Sequence, residues 1–151
     1  MEEVVIVSAT RTAIGKYGKT LSGIKATDLG AHVVKDALVK SGLEATDIDE
    51  CIMGNVISAG LGENPARQAA IGAGLPVEIG SFTVNAVCGS GMKAMMLAAD
   101  AIKAGEYDCI MTGGMESMSN APYLAGDLRW GARMNDVKMK DAMVNDGLWC
   151  P

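Results

Sequence analysis

The chain has 151 residues, of which 49% are apolar and 21% are charged, and its formal net charge is -5 at pH 7. This length and composition predict one globular domain with a moderate core and exclude a largely disordered chain. The acidic balance excludes the basic surface that binding to nucleic acid or to an anionic membrane requires.

Short apolar segments rich in β-branched residues alternate with segments of helical period. In chain order, the predicted elements are a strand at 4–9 (VVIVSA), a helix at 26–42, a strand at 51–58 (CIMGNVIS), a helix at 64–76, a strand at 81–87 (SFTVNAV), a helix at 89–105 and a strand at 107–114 (YDCIMTGG). Thr27 or Asp28 is the expected N-cap of the first helix, Gly42 its expected stop, and Pro65 opens the second helix. This alternation predicts an α/β layered fold.

The helix predicted at 89–105 is apolar around most of its circumference. Its charged side chains, Lys93, Asp100 and Lys103, fall in one stripe less than about 90° wide on a helical wheel. We therefore expect this helix to lie in a central layer with structure on both faces. These 151 residues are not expected to supply all of that structure.

The sequence changes character from Gly113 onward. This segment contains five methionines and both tryptophans, and it has no clean helical or strand period. It predicts an excursion from the layered fold or a small subdomain.

The N-terminus, the lengths of the apolar stretches and the cysteines indicate the cellular compartment. The N-terminal sequence MEEVVIVSAT has an apolar run of only four residues, which is too short for a secretory signal, and no later stretch is long enough to span a membrane. Cys51, Cys88, Cys109 and Cys150 are far apart, and the chain has one histidine. We expect a cytoplasmic protein with reduced thiols, without a disulfide framework or a metal site.

Cys88 lies between the strand predicted at 81–87 and the helix predicted at 89–105. An apolar-flanked cysteine is commonly a small core residue, but the first turn of a helix has free N–H groups and a dipole that favour an anion such as a thiolate. Gly89 and Gly91 leave room for a substrate carbonyl to reach the sulfur, and the N–H of Cys88 could face a developing oxyanion. This pattern indicates acyl transfer.

The same glycines allow a different interpretation. The segment GSGMKA at 89–94 fits the G-x-G-x-x-A fingerprint of dinucleotide binding. However, it does not lie in the first βα unit, and the acidic residue expected after the next strand is missing, because Glu106 and Asp108 precede that strand. Dinucleotide binding is therefore the weaker hypothesis.

Four ordered segments resemble the N-terminal part of the thiolase family, most closely its acetyl-CoA acetyltransferase branch. They are VIVSATRTAIGKYGKTL, GNVISAGLGENPARQAAIGAGLP, VNAVCGSGMKAMMLAADAI and TGGMESMSNAPY. The resemblance implies a layered α-β-α-β-α fold made of two similar halves. Residues 1–114 would form an incomplete N-terminal core half, and residues 115–151 would begin a loop domain. Ketoacyl-carrier-protein synthases and hydroxymethylglutaryl-CoA synthases also use a buried cysteine, but their motifs differ from NPARQAA and GGMESMS.

The resemblance also implies the site and its substrates. Cys88 would be the catalytic nucleophile that holds the acyl group, and Leu148 would lie beside coenzyme A. The segment GGMESMS would be a loop near the active site, although core filling by its methionines is an alternative. The implied substrates are acetyl-CoA and acetoacetyl-CoA, with no separate cofactor. The full-length form would be a homodimer or homotetramer that serves lipid metabolism.

The chain departs from the family in length. The histidine, the second cysteine and the asparagine that complete a thiolase site belong to motifs that it lacks. His32 is expected to be a solvated surface residue beside Asp36 and not a replacement. We therefore predict a fragment that is inactive alone, from a parent that condenses two acetyl-CoA molecules or cleaves acetoacetyl-CoA. The alternative is a truncated chain that acts as a binding or assembly module.

Overall fold

The computed structural model describes residues 3–150. A parallel three-stranded sheet and three α-helices form its main part. In chain order these elements are α1 (Ala26–Ser41), β1 (Glu50–Gly54), α2 (Pro65–Ala73), β2 (Gly80–Val84), α3 (Ser90–Ala104) and β3 (Ile110–Gly114). The predicted α/β layered fold is confirmed.

The strand order in the sheet is β2-β1-β3, so β1 is central. Ile52 of β1 is in register with Phe82 of β2 on one side and with Thr112 of β3 on the other. Each connection between the parallel strands contains a helix, because parallel neighbours require a crossover. The carboxyl ends of all three strands therefore lie at the same edge of the sheet.

The side chains of β1 alternate between two cores, as the two-residue period of a strand requires. Cys51 and Met53, both 0% exposed, pack against residues of α1 and α2. Ile52, 1% exposed, packs against Ala94 and Ala98 of α3. The helices α1 and α2 thus cover one face of the sheet, and α3 covers the other.

Most of the predicted helix ends are confirmed. Gly42 ends α1 and Gly105 ends α3, with φ values of 73° and 74° in the left-handed region that glycine tolerates. Pro65 is the first residue of α2. The N-cap of α1 was predicted wrongly, because Lys25 occupies that place. Thr27 is buried within the first turn, so packing against the core starts the helix earlier than the capping preference indicated.

The strand predicted at 4–9 is wrong, because these residues pair with no strand. A strand needs a hydrogen-bonded neighbour, and this segment pairs neither with the central β1 nor with the outer edge of β2 or β3. Instead, the segment runs beside α1, where the Ser8 hydroxyl donates to the carbonyl oxygen of Ala37 at 2.8 Å and Thr10 donates to Asp36. Val5, Ile6 and Val7 are left 61–71% exposed, although their sequence is typical of a buried strand.

The helix α3 is covered on one face only within residues 3–150. Its sheet-facing residues Ala94 and Ala98 are buried, whereas Met92, Met95 and Met96 are 70%, 44% and 52% exposed. The predicted burial on most sides is therefore not found in the described residues. The apolar outer face of α3 is exposed in the described residues, and a second layer against it stays a prediction.

Residues 115–150 contain only short elements. They include the antiparallel pair β4 (Tyr123–Leu124) and β5 (Lys140–Asp141) and a π-helix at Met143–Leu148. Met115 is buried in the core with α1 and α2 and attaches this part of the chain to it, and Ala142 is also buried. Across residues 3–150, no helix is both long enough and apolar enough to cross a membrane.

Candidate active site

Cys88 lies exposed in a tight turn between β2 and α3. The N–H of Gly89 donates to the carbonyl oxygen of Ala86 at 3.1 Å, and the N–H of Ser90 donates to that of Val87 at 3.1 Å. Val87 has a φ of 51°, in the left-handed region that a β-branched residue rarely adopts. Such a conformation costs about 1–3 kcal/mol and persists only where the surroundings fix it.

Two side chains fix this turn. The Ser90 hydroxyl donates to the carbonyl oxygen of Val87 at 2.5 Å and accepts from the N–H of Ala86 at 3.0 Å. The Oδ1 atom of Asn85 accepts from the N–H of Val87 at 3.0 Å. The N–H and the carbonyl oxygen of Val87 are therefore each held by a side chain, in addition to the backbone hydrogen bonds of the turn.

Glycines allow the start of α3 to lie directly on the ends of β1 and β3. A Cβ atom added to Gly54 would lie 2.6 Å from the carbonyl carbon of Ser90 and 2.7 Å from the nitrogen of Gly91. A Cβ atom added to Gly114 would lie 3.3 Å from the Cα atom of Gly91. The position of the Cys88 turn is thus set by backbone contact with the sheet.

A cavity of about 470 Å³ adjoins Cys88 at the carboxyl edge of the sheet. Its lining residues come from four separate parts of the chain, and they lie within residues 54–57, 87–91, 114–118 and 147–148. The structure therefore brings together Cys88 and Leu148, the two site residues predicted from the sequence. Leu148 is 60% exposed, so much of its apolar surface is free for a ligand.

The segment GGMESMS lies both in the core and beside the cavity. Met115 is 8% exposed and belongs to the core on the side of α1 and α2, as core filling predicts. Gly114, Met115, Glu116 and Met118 also line the cavity beside Cys88, as expected of a loop near the site.

Glu116 was not predicted as a site residue. Its Oε1 atom accepts from the Nδ2 of Asn55 at 2.9 Å and from the N–H of Ile57 at 3.1 Å, and its Oε2 atom accepts from the N–H of Val56 at 2.9 Å. These bonds span about 60 residues of sequence, so no local pattern reveals them. Glu116 fixes the loop that follows β1 and forms one wall of the cavity.

The remaining candidates lie in other surroundings. Burial, followed by the nearby Glu50 carboxylate, raises the pKa of Cys51 to about 12. Burial also raises the pKa of Cys109, with a smaller contribution from Asp49. His32 is exposed on α1 and does not line the cavity, which confirms its predicted place on the surface.

A second, more open cleft of about 760 Å³ lies beside α2. Arg67, its only cationic side chain in the described residues, donates to the carbonyl oxygens of Ile79 at 2.7 Å and Val77 at 2.5 Å. The guanidinium therefore braces the loop before β2. We place the candidate site at the smaller cavity, because that one contains the exposed cysteine.

Iodoacetamide is expected to alkylate Cys88 at least about tenfold faster than Cys51 or Cys109 in the folded chain at pH 8, because the thiolate is the reactive form. With a pKa of about 12, only about one Cys51 thiol in ten thousand is ionised at that pH. Peptide mass spectrometry after timed quenching measures the three rates. Raising the pH should accelerate Cys51, and unfolding in urea should remove the contrast. Equal rates in the folded chain would contradict the prediction.

Comparison with known proteins agrees with this architecture. The family described as "Thiolase, N-terminal domain" matches residues 4–151. A Cupriavidus necator protein named acetyl-CoA acetyltransferase is 54% identical over 149 residues, which are 99% of this chain and 38% of the relative. Proteins of the same name from Pseudomonas aeruginosa and Schizosaccharomyces pombe are 52% and 50% identical, over 99% and 97% of this chain and 38% and 37% of their own length. The chain belongs to the thiolase family and carries the N-terminal domain of that family.

Proposed function

We propose that this chain supplies the nucleophilic part of an acetyl-CoA acetyltransferase, with Cys88 as the residue that accepts the acetyl group. The observation that carries this proposal is the exposed Cys88 beside a cavity, in a chain that belongs to the thiolase family. The relatives' names support acetyl-CoA as the substrate. Because the chain spans about 38% of the length of these relatives, the complete reaction needs groups beyond the residues described here.

The proposed reaction has two steps. The Cys88 thiol gives its proton to an activating base and its sulfur attacks the thioester carbonyl of acetyl-CoA. The bond from that carbon to the coenzyme A sulfur breaks, and coenzyme A takes up the proton from the base and leaves as its thiol. A second acetyl-CoA then loses a methyl proton to a base, and its carbanion attacks the acetylated cysteine. This step forms the carbon–carbon bond of acetoacetyl-CoA and releases Cys88 as a thiolate. Thiolysis is the same sequence in reverse.

Several groups around Cys88 fit the first step. The turn places the backbone N–H of Cys88 next to its sulfur, where it could face the oxyanion of the tetrahedral intermediate. We propose that Leu148 packs against the coenzyme A arm, because it lines the same cavity with an exposed apolar side chain. Residues 115–151 as the start of a loop domain, the homo-oligomer, the cytoplasmic location and the role in lipid metabolism also belong to this proposal.

Acetyl-CoA is expected to add one acetyl group to Cys88, detected by mass spectrometry of the intact chain and of its peptides. Cys88→Ala should remove the label, whereas Cys109→Ala should retain it, because Cys109 lies in the core beside Asp49. The same test is made in a chimera in which the chain continues into the part of the Cupriavidus necator relative beyond the matched residues. Absence of acetyl-Cys88 from both proteins would contradict the proposed function and would favour a binding or assembly module.

A further inference from the structure

We propose that Ser90 and Asn85 are positioning residues, which hold Val87 in its left-handed conformation and so aim Cys88 at the substrate thioester. This inference rests on the proposed role of Cys88 as the acetyl acceptor. It adds to that role a specific device, formed by two side chains that act on the backbone of the turn and through it on Cys88.

The hydrogen bonds of Ser90 lead from the sheet to the nucleophile. Ser90 is 5% exposed and lies in the first turn of α3. It packs directly against the end of β1, because Gly54 has no side chain to keep it away. Its hydroxyl holds the carbonyl oxygen of Val87 at 2.5 Å and the N–H of Ala86 at 3.0 Å. A residue fixed by the sheet thus fixes the peptide group between Val87 and Cys88 and the one between Asn85 and Ala86, and the Asn85 side chain holds the peptide group between these two.

The conformation of Val87 explains why these hydrogen bonds of Ser90 and Asn85, the clamp on Val87, are needed. A β-branched residue at a φ of 51° returns to negative φ when nothing opposes it. That change rotates the peptide group between Val87 and Cys88, whose N–H is the proposed oxyanion donor. The clamp therefore keeps the sulfur and the N–H of Cys88 in one fixed arrangement.

The surroundings indicate that the clamp matters more for alignment than for folding. Ala86, Val87 and Asn85 are all exposed, so water can replace the hydrogen bonds that the two side chains make. Loss of the Ser90 hydroxyl then leaves little buried polar surface without a partner. Misplacement of reacting groups by about 1 Å, in contrast, can lower a rate by about a hundredfold.

The test compares the rate of acetyl transfer from acetyl-CoA to Cys88 in the full 151-residue chain and, in parallel, in the chimera. Ser90→Ala is expected to slow this rate at least about tenfold, and Asn85→Ala, at an exposed position that does not endanger folding, should slow it in the same direction. Adding Val87→Gly to Ser90→Ala should recover most of the lost rate, because glycine adopts positive φ without strain.

Ser41→Ala is the matched control. The Ser41 hydroxyl also donates to a backbone carbonyl, that of Leu38 at 2.7 Å, and accepts from a backbone N–H, that of Leu43 at 3.2 Å, but it lies at the end of α1. It should leave acetyl transfer unchanged. General loosening of the fold would instead accelerate iodoacetamide labelling of the buried Cys51. We expect the rate of Cys51 labelling to stay constant in Ser90→Ala.

The outcomes separate the two proposals. If Cys88 of the unsubstituted protein is not acetylated, the proposed function is wrong, and this inference with it. If the unsubstituted protein is acetylated and Ser90→Ala and Asn85→Ala react at the same rate, this inference alone is wrong. A defect in Ser90→Ala that Val87→Gly does not repair, or one that Ser41→Ala shares, also overturns it.

Discussion

No thiolysis of acetoacetyl-CoA is expected above background when the 151-residue chain is assayed alone. Carbon–carbon bond cleavage needs a nucleophile, a group that activates it, and an acid that protonates the departing acetyl-CoA carbanion. In the described part of the chain, neither a histidine nor a second cysteine lines the cavity beside Cys88. Glu116 does line it, but its two oxygens already accept three hydrogen bonds from the loop after β1.

The size of this effect follows from the missing groups. Loss of one general acid or base commonly lowers a rate by about 10²–10⁴, and the absence of an activating partner for the thiol lowers it further. The rate is followed by loss of the acetoacetyl-CoA enolate absorbance, with the mass of the purified chain checked in the same sample. In the chimera, which has the remaining thiolase sequence, turnover should appear.

Cys88→Ala in the chimera is the decisive variant, because it removes the proposed acetyl acceptor and should abolish turnover. Cys109→Ala removes a cysteine in another part of the chain and should retain turnover. Turnover by the 151-residue chain without any second polypeptide would show that its own residues complete the site. Turnover by the Cys88→Ala chimera would contradict the nucleophilic role.

The regular elements could be predicted well wherever local chemistry decides them. Glycine at positive φ ended α1 and α3 where the sequence indicated, and Pro65 opened α2. The strand β3 falls within a predicted apolar run, and β1 and β2 each begin one residue before theirs. The segment 4–9 has the same composition but forms no strand, because strand formation depends on a neighbour as well as on composition.

The candidate site could be predicted only in part. The sequence pattern indicated Cys88, since a cysteine between a strand and a glycine-rich helix start has a specific chemical meaning. Neither the wall fixed by Glu116 nor the clamp on Val87 could be predicted. Glu116 bonds to residues about 60 positions away, and the left-handed conformation of Val87 is opposed by its own side chain. Tertiary contact decides both.

Gly54→Ala is expected to impair both the fold and the acetylation of Cys88. The added methyl group would lie 2.6 Å from the carbonyl carbon of Ser90 and 2.7 Å from the nitrogen of Gly91. These are backbone atoms of a helix, which cannot turn aside as a flexible side chain does. The start of α3 must therefore move away from β1, and Ser90 and the Cys88 turn must move with it.

Overpacking of this kind commonly costs about 1–3 kcal/mol, which corresponds to a fall in melting temperature of about 3–10 °C for a chain of this size. The displacement should lower the rate of acetyl transfer to Cys88 about a hundredfold, so the rate falls in molecules that are still folded. Differential scanning fluorimetry and timed mass spectrometry of the chimera measure the two effects. Gly23→Ala is the control, because an added Cβ atom there meets nothing within 4 Å. If Gly54→Ala matched Gly23→Ala in both measurements, α3 would not depend on backbone contact with β1, and the position of the nucleophile would have to be set by other residues.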